Sequence, residues 1–185
     1  GDYASDGVYT VYGLPSGTYY VRTEKWDYPS NYLDEWWAGA GSVPLTNCSA
    51  AESITISNAS VSGKDFQLDT GYSISGTIYQ SDGVTPITDA YIEIEVYQDD
   101  PCDNYPYVAG GYVSKANYTV YGLTPGTYYV RTWIYNYQSN YLDEWWTGAG
   151  SVLLSDCSAA ESITISDASV NGKDFQLDTG YSISG

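Results

Sequence analysis

The sequence predicts an all-β protein built of tandem antiparallel β-sandwiches, and two observations carry this prediction. Apolar and polar residues alternate with a period of two along many short segments. The chain also repeats itself at a fixed spacing of 109 residues, because the motif VYGL-x-x-GTYYVRT begins at Val11 and again at Val120. Residues 1–76 and 110–185 are identical at 58 of 76 positions, which indicates an array of similar domains.

The strands follow from the alternation. Within residues 90–97, Ile92, Ile94 and Val96 fall on one face and the acids between them fall on the other, as in a half-buried antiparallel strand. Similar segments, separated by turn signals, predict strands at Tyr72–Tyr79, Tyr107–Val113, Tyr118–Leu123, Thr127–Tyr135, Tyr141–Trp146, Glu161–Ser166 and Lys173–Leu177. Seven to eight short strands in one repeat are typical of a β-sandwich.

The repeat also predicts the domain boundaries. We expect the C-terminal part of one sandwich at residues 1–71, a complete sandwich at 72–180, and the first strand of the next at 181–185. Because Gly1 aligns with Gly110, inside a repeat, we expect this sequence to be a window of a longer protein. The connector between repeats, residues 178–180, is short, which favours a stiff junction.

Composition limits the classes of function. The formal net charge is −17 with no cluster of basic residues, so nucleic acid is disfavoured as a partner. No apolar run is long enough to span a membrane. The chain contains no His, which removes the common arrangements of nucleophile and base and argues against an enzyme. Glu93 and Glu95 share a strand face about 7 Å apart, as two glycosidase carboxylates could, but any strand with two outward acids does the same.

The three cysteines follow the repeat. Cys102 and Cys157 lie in the complete repeat, and Cys48 aligns with Cys157. This predicts one disulfide per domain, from Cys102 to Cys157, with the partner of Cys48 outside the window. A pair of buried thiols is the alternative, and zinc is disfavoured because no His accompanies the two cysteines. A disulfide would indicate an extracellular or cell-surface protein.

Three segments of the complete repeat carry a resemblance to a known family. They are SISGTIYQSDGVTPITDAYIEIEVY from Ser73, YTVYGLTPGTYYVRT from Tyr118, and KDFQLD from Lys173. Together they resemble the carboxypeptidase regulatory-like domains of bacterial surface and secreted proteins, and they are similar to collagen-adhesin B-type repeats. The resemblance implies an Ig-like, transthyretin-like (prealbumin-like) seven-stranded sandwich that acts as a spacer, stalk or adhesion module without catalysis. Some adhesin relatives carry a Lys–Asn isopeptide bond, but the first strand here has no Lys, and the paired cysteines would replace that clamp.

The motif YLDEWW, at Tyr32 and again at Tyr141, is the most conspicuous candidate site. Aromatic rings beside carboxylates can stack on sugars and hydrogen-bond to them. The candidate contacts are Tyr141, Asp143, Glu144, Trp145 and Trp146, with Trp36 and Trp37 in the other copy. Neighbouring strand residues point to opposite faces, so we expect one Trp of each pair in the core. Packing in the core or between domains is the favoured interpretation of the motif.

Acidic residues and glycosylation sequons provide weaker candidates. Asp99, Asp100 and Asp103 share one loop and Asp178 lies at the junction, so calcium is a candidate ligand, although a solvated acidic face is favoured. Asn-x-Ser/Thr patterns occur at Asn47, Asn58 and Asn117. The first two are replaced by Asp156 and Asp167 in the other copy, so these sites do not follow the repeat.

The sequence favours two functional hypotheses. The first is a structural role, as a stiff extracellular stalk or filament of disulfide-clamped repeats whose partners are neighbouring copies. The alternative is a repeated carbohydrate- or surface-binding module that uses YLDEWW and the outward tyrosines, with avidity from its copies. A passive spacer in a larger hydrolase is a third interpretation. Apart from the calcium candidate, no cofactor is expected.

Overall fold

The computed structural model describes residues 1–25, 30–39, 41–99, 101–103, 106–135, 139–183 and 185. These residues form β-strands, turns and two short 3₁₀ helices, so the all-β prediction is confirmed. The chain divides into two compact units: Gly1–Trp26 with Leu33–Asp69, and Asp27–Tyr32 with Thr70–Gly185. None of the helices found in the described residues is long and apolar enough to cross a membrane.

Among its described residues, the first unit contains two strand pairs. Its strands are β1 (Gly17–Tyr19), β2 (Glu35–Ala38), β3 (Gly41–Pro44) and β4 (Ile54–Ile56), with a 3₁₀ helix at Leu45–Ala50 between the last two. β1 pairs with β4, and β2 pairs with β3, both antiparallel. Trp37 and Ile54 are its buried hydrophobic residues among those described.

The second unit contains nine strands within its described residues. They are β5 (Tyr72–Gln80), β6 (Ile92–Tyr97), β7 (Tyr107–Tyr112), β8 (Asn117–Leu123), β9 (Gly126–Ile134), β10 (Glu144–Thr147), β11 (Gly150–Leu153), β12 (Ile163–Ile165) and β13 (Phe175–Leu177). A 3₁₀ helix at Leu154–Ala159 follows β11. Each of the eight predicted segments contains a strand. β11 and the 3₁₀ helix were not predicted, and β10 begins three residues later than expected.

These strands form two sheets. The larger has the order β11-β10-β9-β6-β7, and β12 also pairs with β9. The smaller has the order β13-β5-β8. The prediction of an antiparallel arrangement is wrong along one edge of β5, where β13 and an isolated bridge at Val170 both pair in parallel. The close approach of these two segments needs Gly76, since a Cβ there would overlap the carbonyl oxygen of Lys173.

One hydrophobic core is lined by both sheets. The alternation in β6 places Ile92, Ile94 and Val96 in this core with exposures of 2% or less. Full burial of one such side chain contributes about 1.5–3 kcal/mol relative to leaving it in water. The other core residues are Ile74, Ile78, Ile87, Ala109, Tyr118, Val120, Leu123, Tyr128, Val130, Trp146, Ile163, Ile165, Phe175 and Leu177.

The structure contains the disulfide between Cys102 and Cys157, whose Cα atoms are 5.2 Å apart. It ties the segment between β6 and β7 to the 3₁₀ helix that follows β11. The bond closes a chain segment of 55 residues, which on the chain-entropy model stabilises the folded state by about 4 kcal/mol. Cys48, at the equivalent place in the first unit, is an exposed free thiol.

Candidate functional site

The YLDEWW motif of the second unit lies partly on β10 and partly on the segment before it. Tyr141 forms an isolated antiparallel bridge with Thr179, outside the named strands. Glu144 is the first residue of β10, which pairs with β11 along its whole length. The first half of the motif therefore contacts the end of the repeat, whereas the second half belongs to the large sheet.

Both tryptophans of this motif are buried, and one of them lies in the hydrophobic core, as the alternation predicted. Trp146 faces the hydrophobic core and is 6% exposed. Trp145 faces the other side of the sheet and is 1% exposed. The Tyr97 ring packs against Trp145 at 5.7 Å in an edge geometry, and the Arg131 guanidinium lies 5.7 Å from its centre. These long side chains cover the outer face above Trp145, so a second layer buries a residue that would otherwise meet solvent.

The two tryptophans of the first unit differ more in their exposure to solvent. Trp37 is 4% exposed and Trp36 is half-buried. The Lys64 ammonium lies 4.3 Å from the centre of the Trp37 ring. The equivalent Lys173 lies 4.5 Å from Trp146, so this contact is the same in both copies.

The two acids of the motif accept hydrogen bonds from the backbone. Asp143 Oδ1 accepts the Ile134 N–H at 2.8 Å, and burial raises the pKa of this carboxyl group despite that bond. Glu144 is 1% exposed. Its Oε2 accepts the Ser151 hydroxyl at 2.5 Å, and its Oε1 accepts the Asp178 N–H at 3.0 Å. Burial also raises the pKa of Glu144.

The same segment fixes the connector at residues 178–180. The Leu142 N–H donates to the Asp178 carbonyl at 3.0 Å, and the Gly180 N–H donates to the Asn140 carbonyl at 2.7 Å. With the bond from Asp178 to Glu144, three hydrogen bonds hold the connector against the motif and the residue before it. The conspicuous acids of YLDEWW are therefore engaged in structural hydrogen bonds.

A second cluster, of which the sequence indicated Glu93 but not its cross-strand aromatic partners, lies on the face of the large sheet opposite the core. Glu93 on β6 is directly opposite Tyr112 on β7 and Trp133 on β9. The Tyr135 hydroxyl donates to Glu93 Oε2 at 2.6 Å, and this bond raises the pKa of Tyr135 to about 12. We call Glu93, Tyr107, Tyr112, Trp133 and Tyr135 the outer aromatic face. The outward acids of β6 were the available sequence signal, but the aromatic partners depend on strand order.

An ion pair lies beside this face. Arg131 Nε donates to Glu95 Oε2 at 2.7 Å, and its Nη2 lies 2.6 Å from the same oxygen. The Tyr97 hydroxyl donates to Glu95 Oε2 at 2.7 Å. Burial, followed by this hydrogen bond, raises the pKa of Tyr97 above its ordinary value. Glu95 is therefore held by two neighbours, whereas Glu93 accepts the Tyr135 hydroxyl.

The other predicted sites lie on the surface. Asp99, Asp103 and Asp178 are exposed, and Asp100 lies outside the described residues. Within the described ranges, no group of three or more His, Cys, Asp or Glu residues is arranged to hold a metal ion. The sequon residues Asn47, Asn58 and Asn117 are also exposed. The Asn117 side chain accepts the Thr77 hydroxyl at 3.0 Å and donates to the Lys115 carbonyl at 3.0 Å.

Comparison with known proteins gives no relative. No family model, curated protein or solved structure matches this chain.

Proposed function

We propose that this chain is a structural extracellular protein, part of a stiff stalk or filament of tandem, disulfide-clamped, Ig-like β-sandwich repeats. The observation that carries the proposal is the anchored connector. Residues 178–180 are held by three hydrogen bonds to Asn140, Leu142 and Glu144 of the repeat that they leave. A connector with its backbone groups paired in this way has few conformations, in contrast to a flexible linker.

The sequence and the disulfide support the same proposal. Near-identical copies at one spacing suit an array in which each domain meets its neighbour in the same way. The Cys102–Cys157 bond is typical of proteins outside the cell. We retain the resemblance to carboxypeptidase regulatory-like repeats as part of this proposal, with a non-catalytic role.

Electron microscopy of the protein as its source produces it tests the proposal. We expect long, stiff fibres or rods with an axial period of one or two repeats. Separate compact particles without a preferred long axis would contradict it.

A pair of variants then tests the connector as the source of stiffness. Leu142→Pro removes the N–H that donates to Asp178, whereas Leu142→Ala keeps it. We expect fibres of the Pro variant to bend more and to have a shorter persistence length, with the Ala variant closer to the original. Equal stiffness in all three proteins would show that the connector bonds do not set it.

A further inference from the structure

We propose that Tyr135 is an oxidation site at which two copies of this chain become joined by dityrosine, a carbon–carbon bond between two tyrosine rings. The oxidant belongs to the peroxidase class, which removes single electrons from phenols and consumes hydrogen peroxide. This inference goes beyond the structural role, because an array can form fibres without covalent bonds between neighbouring chains.

The first support is the proton acceptor beside Tyr135. Its hydroxyl donates to Glu93 Oε2 at 2.6 Å, and this bond raises the pKa of Tyr135 to about 12. The hydroxyl is therefore protonated at neutral pH, so oxidation to a neutral radical removes a proton together with the electron. Glu93 takes up this proton along the existing hydrogen bond, as a positioned base does in catalysis.

The second support is that Tyr135 combines this acceptor with exposure. It is 49% exposed, so its ring can meet an oxidant and a second chain. Tyr97 also donates to a carboxylate, that of Glu95, but it is 5% exposed and cannot reach the ring of another chain. Tyr91 is 78% exposed, but within the described part of the chain its hydroxyl has no carboxylate partner.

Several other tyrosine hydroxyls have acceptors that cannot take a proton at neutral pH. They donate to backbone carbonyl oxygens, which are not bases in this range. These residues are Tyr9, Tyr19, Tyr118 and Tyr128. A hydrogen bond alone therefore does not distinguish Tyr135, whereas a carboxylate acceptor on an exposed ring does.

The third support is a second oxidisable ring beside Tyr135. The Trp133 ring lies 6.3 Å from that of Tyr135 and is 40% exposed. If an oxidant removes an electron from Trp133, an electron from Tyr135 can replace it over this short distance. Loss of the tyrosine proton to Glu93 favours this transfer, so the radical collects on Tyr135 whichever ring is oxidised first.

The coupling reaction balances with one hydrogen peroxide for each bond. Each of two Tyr135 rings loses an electron to the oxidant and a proton to Glu93, which passes the proton to solvent. The two radicals form a bond between ring carbons adjacent to the hydroxyls. Each of these carbons then loses its hydrogen as a proton, and each oxygen gains one, which restores both phenols. The peroxide takes up the two electrons and two protons and becomes two water molecules.

The sequence limits this site to one of the two copies. Tyr135 aligns with Trp26, and tryptophan cannot form dityrosine. Each chain of this sequence therefore carries one such site, so cross-linking through Tyr135 should stop at dimers.

The test is oxidation of the whole chain by a haem peroxidase with hydrogen peroxide. Moderate ionic strength is needed to screen the repulsion between two chains that each carry a net charge of −17. Products are separated on reducing gels, because Cys48 is an exposed free thiol that can form disulfide-linked dimers, whereas dityrosine survives reduction. We expect a reduction-resistant dimer in which mass spectrometry of peptides maps the bond to Tyr135 of both chains.

Three variants separate the roles of the ring, the acceptor and exposure. Tyr135→Phe should abolish the mapped bond. Glu93→Gln keeps a hydrogen-bond acceptor but not a base, so it should slow dimer formation about tenfold or more. Tyr91→Phe is the matched control, since Tyr91 is more exposed and its carbonyl accepts the Tyr135 N–H at 2.9 Å. It should leave the rate unchanged.

Melting temperature and retention of the Cys102–Cys157 bond before oxidation establish that each variant is folded. The proposal is overturned if no reduction-resistant dimer forms or if the bonds map mainly to other tyrosines. It is also overturned if folded Tyr135→Phe or Glu93→Gln dimerises as fast as the original protein, or if Tyr91→Phe loses as much as Tyr135→Phe. None of these outcomes changes the expectation from microscopy, so the two proposals can fail separately.

Discussion

Residues 1–71 and 110–180 have almost the same sequence, yet they bury their side chains to different extents. In the second unit, Val120, Tyr128 and Phe175 are 0% exposed. Their equivalents in the first unit are Val11, Tyr19 and Phe66, and all three are partly exposed. The amino acids are identical, so the difference comes from what surrounds them.

Local structure is the same in both copies. The hairpin β2–β3 has the same register as β10–β11, and a 3₁₀ helix follows each hairpin. The Tyr9 hydroxyl donates to the Lys64 carbonyl at 2.6 Å, as Tyr118 does to Lys173 at 2.6 Å. The hairpins and helices depend on short-range sequence, whereas the tyrosine–lysine bond joins residues 55 apart within the part of the sequence that both copies contain.

The core of the second unit depends on residues 72–109. They provide β5, which is central in the small sheet, and β6, which pairs with β7 and β9 in the large one. In the first unit, the described residues include no strand that covers the same apolar faces in this way. The comparison teaches that the C-terminal part of a repeat encodes its own hairpins but not its own core.

The largest effect should come from truncating the same residue in each copy. Phe175→Ala should destabilise the second unit by about 3–5 kcal/mol because it leaves a cavity in a closed core. Phe66→Ala should cost about 1 kcal/mol, typical of a substitution outside such a core. The urea dependence of hydrogen exchange, followed in peptides from each unit, measures both values. Equal losses would mean that the first unit is as tightly packed as the second.

The disulfide should give the next largest difference. Cys102→Ser should lower the free energy of unfolding of the second unit by about 2–4 kcal/mol, because the unfolded chain regains the freedom that the bond removes. Cys48→Ser is the matched control, and as a surface substitution it should change stability by no more than about 0.5 kcal/mol. The same exchange experiment provides both numbers. Equal changes in the free energy of unfolding for the two variants would mean that the disulfide does not stabilise the second unit.

The smallest effect concerns the buried Glu of each motif. Glu144 accepts the connector N–H, whereas Oε1 of the equivalent Glu35 is buried without a hydrogen-bond partner among the described residues. Burial raises the pKa of Glu144, so the folded protein holds this proton more tightly than the unfolded chain. The resulting stability is fully present below the ordinary Glu pKa and is lost as pH rises through the folded value.

Melting temperatures between pH 7 and about pH 2 test this contribution. Glu144→Gln should reduce the gain in stability on acidification. Asp82 is the control of opposite sign, since hydrogen bonds from the Thr85 hydroxyl and backbone, and from the Val84 N–H, lower its pKa. Its contribution is present above the ordinary Asp pKa and is lost as pH falls through the folded value, so Asp82→Asn should change the profile in the other direction. If the melting temperatures of the original protein and the two variants changed with pH in the same way, both predicted directions would be wrong.

Much of the fold could be predicted from periodicity and the repeat. The alternation in residues 90–97 placed Ile92, Ile94 and Val96 in the core, where the structure has them. The cysteine pair followed from aligning Cys48 with Cys157. The alternation is a local pattern, and the cysteine pairing follows from the spacing of the repeat. Neither prediction requires knowledge of strand order.

The remainder depends on which strands become neighbours. The burial of Trp145 requires Tyr97 and Arg131 above it, and the parallel pairing of β13 requires β5 beside it. The outer aromatic face likewise combines three strands that are distant in sequence. Period-two alternation gives the face on which a side chain lies but not its cross-strand partner.

The disulfide also sets how far the second unit can lengthen under tension. A force applied at the two ends of the unit can straighten the chain before Cys102 and after Cys157, but the 55-residue segment between them stays bypassed by the covalent bond. Fully extended, that segment would add about 180–200 Å. An oxidised unit that has lost its fold would therefore extend much less than a reduced one. Its closed loop would also keep the two cysteines together, which favours refolding when the force is released.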